Sequence, residues 1–210
     1  METQLFITLA GIHLLALMSP GPDFALMLTK ATGPRATAVA AAAGISAAIL
    51  VHTLLSLSGI SLLIQSSPAL FTLVKVAGSL YLGWMGISML RAGMAPSAAA
   101  TDDPAPAPEI SGRSGFMQGF YTNMLNPKAL VFFLTLFSSL VSVDAGWDDK
   151  LIICIIMFGL SFAWFGLLAF GLTSGGLHTW LKRKACWLNN LSGILFVVVA
   201  ISILANLLYY

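Results

Sequence analysis

Charge is what this sequence has least of: 9% of its 210 residues are Asp, Glu, Lys or Arg, against about 25% in a soluble domain. A water-soluble globule is thereby excluded. Cysteine is almost missing, with only Cys154 and Cys186. They fall near opposite ends of apolar runs, about a membrane thickness apart and beyond disulfide reach, so both are expected as free thiols. No His-Glu-x-x-His motif and no Gly-x4-Gly-Lys-Ser/Thr loop occurs, which argues against that zinc-hydrolase motif and against direct ATP coupling. The first apolar run lacks a basic leader and meets prolines and Asp23 before any small-residue cleavage site. It therefore reads as part of the mature chain and not as a secretory signal. A net charge of +2 gives no reason to expect a nucleic-acid partner.

What is present is hydrocarbon: hydrophobic residues make up 58% of the chain and the mean hydropathy is +0.92. A membrane-spanning helix needs about 20 apolar residues. Six spans are expected, approximately Gln4 to Lys30, Thr37 to Ile64, Pro68 to Leu90, Phe116 to Val143, Leu151 to Leu172 and Leu188 to Tyr209. The expected fold is an all-α polytopic membrane protein. The stretch from Arg91 to Gly115, rich in Ala and Pro and carrying Asp102, Asp103 and Glu109, reads as a flexible linker too short for a soluble domain.

Basic residues orient the spans, because Lys and Arg resist translocation. Lys30, Arg35, Arg91, Arg113, Lys182, Arg183 and Lys184 follow spans one, three and five, whereas the other side has only Lys150. The linker is then cytoplasmic, both termini are periplasmic, and a bacterial inner membrane is the natural compartment. Dividing the chain into repeat one (1–92), linker (93–115) and repeat two (116–210) leaves three spans in each half. An odd number forces the halves into opposite orientations, the geometry of an inverted repeat. Ser19-Pro20 aligns with Asn126-Pro127, Gly44-Ile45-Ser46 with Gly159-Leu160-Ser161, and Gly78, Leu80 and Tyr81 with Gly193, Leu195 and Phe196.

Prolines inside spans one and four predict broken helices, since each removes a backbone donor and frees polar groups that lipid cannot satisfy. In Ser19-Pro20-Gly21-Pro22-Asp23, Ser19 is expected to cap a restarted helix, Pro20 to take its first position, and Asp23 to lie in its first turn. Asn126-Pro127-Lys128 repeats that grammar. Under an inverted twofold the two half-helix N-termini converge near mid-membrane on a site suited to a carboxylate. Lys128 there opposes the helix dipole and needs an anion. Asp23, the one acid well inside a span, is the expected partner, directly, through water or in one state only, with a substrate carboxylate as competitor. Asp23 is also the expected proton carrier. His52, in mid-span two, is either a second proton-coupling residue or a structural histidine bonded to a neighbouring helix. Lys75 reads as a snorkelling anchor or a site residue. His13 and His178 form no constellation, and Gly78, Gly83 and Gly86 read as packing positions.

Ser-Pro-Gly-Pro-Asp-Phe at 19–24, the run from Lys75 to Gly86, and Thr122-Asn123-Met-Leu-Asn126-Pro127-Lys128-Ala129 together resemble the LysE-type amino-acid exporter family. The likeness covers essentially the whole chain and is greatest to its threonine and homoserine resistance branch. The resemblance implies an inner-membrane efflux transporter for neutral amino acids such as threonine, homoserine or serine, driven by the proton motive force, with no cofactor. It marks Pro20, Gly21, Pro22, Asn123, Asn126, Pro127 and Lys128 as substrate-binding positions, beside Ser19. Of these, Asn123 comes from the resemblance alone, and it would share a helix face with Asn126. Membrane lipids are expected neighbours, and the oligomeric state, a homo-oligomer included, stays open. An exporter of another amino-acid class, an intramembrane enzyme and a channel are the rivals. The enzyme lacks paired acids or metal ligands at depth, and the channel does not require two restarts of opposite charge.

Overall fold

The structure, a computed structural model, describes residues 3–19, 21–30, 34–94, 112–142, 145–172 and 176–209. They form eight helices: α1 (Thr3–Met18), α2 (Pro22–Lys30), α3 (Arg35–Ser66), α4 (Pro68–Met94), α5 (Gly112–Met124), α6 (Pro127–Leu140), α7 (Trp147–Leu172) and α8 (Gly176–Tyr209). Four stretches are long and apolar enough to cross a membrane: Arg35–Gly59, Ala69–Arg91, Trp147–Gly171 and Asn190–Leu207. Helices α1 and α2 pass the same test only as a pair, bent by 59° between them. The expected fourth span is divided into α5 and α6, of 13 and 14 residues, each shorter than the ~20 residues a crossing needs. Pro127 accounts for the division, since it has no N–H to continue the α5 ladder.

Helix ends depart from the expected span ends where polar residues retain helical propensity. The last span was expected from Leu188, yet α8 begins at Gly176 and carries Lys182, Arg183 and Lys184 within it. Helix and hydrocarbon need not end together, because Lys and Arg are good helix formers. Lys30, expected at the edge of the first cytoplasmic loop, closes α2 with its side chain packed down, where a cation complements the helix C-terminus.

Large apolar side chains face outward all round, as lipid permits. Leu73, Leu80, Trp84 and Ile87 do so on α4, and Leu151, Ile155, Phe158 and Phe162 on α7. Trp147 and Trp187 are also exposed, in keeping with interfacial positions. The core is built from small residues of α3 (Ala38, Ala41, Ala42, Ala48) and large ones of α6 (Phe132, Phe133, Leu136, Phe137). The two cysteines are both free.

Without a hydrophobic force between helices in lipid, close backbone approach carries the packing. The α3–α5 contact shows this: Gly115 and Gly119, four apart on α5, sit on the Thr37 and Ala41 carbonyls, while Gly44 of α3 sits on the Phe116 carbonyl. Gly86 and Gly193 join α4 to α8 in the same way, an added Cβ on either lying 2.7–2.8 Å from the other's carbonyl oxygen. Gly78 faces Thr135 of α6, whereas Gly83 only grazes Ala200 at 3.5 Å. The Gly115-x3-Gly119 seam is visible in the sequence as a small-residue repeat, but it was not among the glycines expected to matter. Gly44→Ala should therefore lower the Tm of the detergent-purified protein, overpacking costing about 1–3 kcal/mol or more. Gly59→Ala, where an added Cβ meets nothing within 4 Å, serves as the control. Equal shifts in the two variants would contradict the seam.

Candidate functional site

Both helix breaks open onto one cavity of about 50 Å³, lined among others by Ser19, Gly21, Asp23, Asn123, Asn126 and Lys128. It is built from the ends of elements. Gly21 precedes α2, its carbonyl accepting from the Ala25 N–H at 2.9 Å. Pro22, not Pro20, opens that helix, and Asp23 lies in its first turn. Ser19 does not cap the helix as expected, because its hydroxyl is committed elsewhere. It accepts from the Lys128 ammonium and donates to the Met89 sulfur at 3.6 Å. Pro20 lies outside the described residues.

At the second break Asn126 is the N-cap of α6, its Oδ1 accepting from the Lys128 N–H at 3.0 Å, and Pro127 takes the first helical position. This satisfies one of the orphan donors at the helix start. Lys128 reaches back to Ser19 and lies over the Phe196 ring, 5.5 Å from its centroid. Gly21 leaves room for it: a Cβ there would sit 3.6 Å from Nζ.

Asp23 Oδ2 accepts from the side-chain amides of Asn123 (3.0 Å) and Asn126 (3.4 Å). Oδ1 is buried without a partner, as is Asn123 Oδ1. Asp23 and Lys128 face the same cavity and feel each other's charge. Among the described residues they form no direct ion pair; each is held by neutral polar groups instead. Asn123 and Asn126, both expected as substrate-binding positions, donate their side-chain amides to Asp23 in this structure. Asn126 is occupied at both ends, which leaves Asn123 Oδ1 as the free asparagine atom.

His52 does not line the cavity. It is 1% exposed, its ring lies parallel to Phe133 with centroids 5.9 Å apart, and its Nε2 donates to the Asn123 carbonyl at 3.4 Å. Its link to the site runs through the Asn123 backbone, which corresponds to the structural reading among its two expected roles. His13, expected to form no constellation, does line the cavity. Its Nε2 lies 2.9 Å from Ser161 Oγ and 3.3 Å from the Met157 carbonyl. The Ser161 hydroxyl donates to that same carbonyl, so Nε2 is the donor and Nδ1, buried and unpartnered, presents the lone pair. A buried histidine within a span is a signal in itself, but its partners lie 144 and 148 residues away, out of reach of local spacing. Phe24, Phe132, Phe133, Phe165 and Phe196 complete an aromatic wall that no short motif marks. No cluster of three or more His, Cys, Asp or Glu suited to a metal ion occurs among the described residues.

The profile described as LysE type translocator matches residues 14–207. The chain is 35% identical over 208 residues to the threonine efflux protein of Escherichia coli strain K12, covering 97% of this chain and 98% of that one. It is 34% identical to the threonine efflux protein of Salmonella typhi, with the same coverage. It is 30% identical to the leucine efflux protein of Enterobacter sp. strain 638, over 85% of this chain and 84% of that one. No solved structure matches it significantly. With its apolar helices, the chain is a membrane protein, and its family is one of translocators, not of enzymes. The chain belongs to the LysE-type translocator family.

Proposed function

We propose that the protein exports neutral amino acids from the cytoplasm, threonine first and homoserine or serine beside it, by proton-driven alternating access. The observation that carries this reading is a single cavity with a buried ammonium at one helix break and a half-satisfied carboxylate at the other. A zwitterion has the complementary ends. Its carboxylate takes the Lys128 ammonium and the open amides at the start of α2, while its ammonium group takes Asp23 Oδ1 and Asn123 Oδ1. Ser19, Gly21 and Pro22 shape the first half of the cradle, and Asn126 and Pro127 the second.

At about 50 Å³ the cavity is roomy enough for ordered water, which needs only about 10–15 Å³ of such space. Alternating access requires the surrounding helices to part so that the cavity opens to each side in turn. The six crossings, with α1–α2 and α5–α6 each counted as one broken span, and the inverted relation of 1–92 to 116–210 around a linker at 93–115, belong to the same reading. It is supported by the distribution of Lys and Arg, which puts the loops after spans one, three and five on one side. Both termini then face the periplasm of a bacterial inner membrane, with lipid against the exposed apolar faces. One proton entering per zwitterion expelled draws on about 2.3 kcal/mol per 100 mV, somewhat less than a fiftyfold gradient.

A second reading, export of a larger aliphatic amino acid, is favoured by the aromatic wall and fits the leucine efflux relative. Counterflow of labelled threonine in proteoliposomes, with unlabelled amino acids as competitors and with or without a pH gradient, tests both. Competition by homoserine and serine with uphill uptake under the gradient is expected. Competition by leucine alone would select the second reading, and absence of counterflow from folded, reconstituted protein would refute both.

A further inference from the structure

A second cavity, of about 690 Å³, opens where α4, α6 and α8 meet, lined by Thr72, Lys75, Ser139, Ile203, Asn206 and Leu207. Lys75 is its one charge, and the ammonium also rests on the Phe71 ring, 4.7 Å from the centroid. A cation flanked by a hydroxyl on each side and a side-chain amide is suited to an anionic group, whether carboxylate or phosphate.

The tie between the two cavities is a single helix stripe. Lys128, Phe132, Thr135 and Ser139 follow one another at +4, +3 and +4 along α6, the spacing of one face. The first two line the central cavity and the last lines the second. From Lys128 to Ser139 the rise is about 16 Å. Midway lie two hydroxyls that are 0% exposed, Thr135 on α6 and Ser79 on α4. Neither has a partner, and the Ser139 hydroxyl is also buried and unpartnered. Thr72, Lys75 and Ser79 lie on a common face of α4 in turn, and the helices touch at Gly78 against Thr135. Buried hydroxyls without partners forgo the stabilisation a hydrogen bond would give. They form a row of polar atoms between the two polar cavities, at the seam where Gly78 packs on Thr135.

We propose that the Lys75 cavity is a second amino-acid carboxylate subsite, the outward vestibule into which substrate passes from Lys128 along the α4–α6 seam. The assignment rests on the transport reading for its direction, since the ends of α6 and α8 and the start of α4 face outward only in that orientation. Lys75 hands over no proton and makes no bond; it holds the carboxylate electrostatically while the zwitterion leaves.

The test places a reporter in the vestibule. Asn206→Cys, at an exposed lining position, in a Cys154→Ala/Cys186→Ala background, is reacted in right-side-out vesicles with anionic sulfonatoethyl or cationic trimethylammonioethyl methanethiosulfonate. Thr72→Cys, also exposed and in the lining, is the alternative reporter should the first variant not fold. A unit charge at ~6 Å in water changes local concentration about threefold in each direction, so the anionic reagent should gain about tenfold over the cationic one. That preference should vanish with Lys75→Gln and persist with Lys75→Arg, and threonine at concentrations that saturate counterflow should slow the reaction. No charge preference, a preference unchanged by Lys75→Gln, or no protection by amino acid would overturn the proposal. Slowing by phosphatidylglycerol in the vesicles, with none by threonine, would also overturn it and assign the cavity to a lipid phosphate. Should the unmutated chain show no counterflow while charge preference and amino-acid protection stand, the transport reading fails and the subsite survives. Counterflow without protection gives the reverse.

Discussion

Asp23→Asn should abolish proton-driven accumulation of threonine while leaving the protein folded. In vesicles with a gradient of one pH unit, a carrier exchanging one proton per zwitterion sustains about a tenfold substrate gradient, one pKa unit being worth 1.36 kcal/mol. The variant should hold none. The substitution is isosteric, so packing around α2 is kept, and a Tm within a few degrees of the parent's would confirm that. What changes is the group facing the cavity: Oδ1 is buried and unpartnered, and Asp23 is the one acid in the lining. The amides of Asn123 and Asn126 stay behind, now against a neutral neighbour that competes for the same donors. A variant that still builds the tenfold gradient would remove Asp23 from the coupling mechanism, whatever its affinity for substrate.

The second large effect is expected at Lys128. Truncating one partner of a buried, hydrogen-bonded charge pair costs about 2–5 kcal/mol, so Lys128→Met should raise the half-saturating threonine concentration at least ~30-fold. The loss should appear in binding as well as in flux, because the ammonium meets the carboxylate before any conformational step. Lys128→Arg keeps the charge but brings a wider head into a space where even a Cβ at position 21 would lie 3.6 Å from Nζ. It should recover only part of the affinity. The Ser19 hydroxyl keeps its bond to the Met89 sulfur in either variant, so the break after α1 should not collapse. Unaltered affinity in Lys128→Met would refute the carboxylate assignment.

The breaks were legible because proline acts locally. Asn126-Pro127-Lys128 spells a cap, a first helical residue and a first-turn residue, and α6 begins there. Ser19 to Asp23 spelled the other break, but the first helical position was expected at Pro20, whereas α2 begins at Pro22 and the Ser19 hydroxyl bonds the Lys128 ammonium. Asp23 and Lys128 were expected to share a site from the two proline breaks and from the cost of charge in lipid, and they line one cavity. Their actual partners were not expected, since neutral hydroxyls and amides can take up charge without any signature in spacing. His13 was overlooked for the same reason, its partners belonging to α7. The Gly115-x3-Gly119 seam was legible in principle, yet in a chain with 19 glycines composition hides which pairs meet.

One side chain belongs to two helices at once. Asn126 gives its oxygen to the first turn of α6 and its nitrogen to the carboxylate of α2, so it works as a pin through a pair of knuckles. A bond to an ionised carboxylate is roughly twice as strong as one to a neutral group. Discharging Asp23 therefore loosens the pin at one knuckle and leaves it tight at the other. If Asp23 carries the proton as proposed, that one proton sets the grip between the two breaks, with α6 keeping its cap in both conditions.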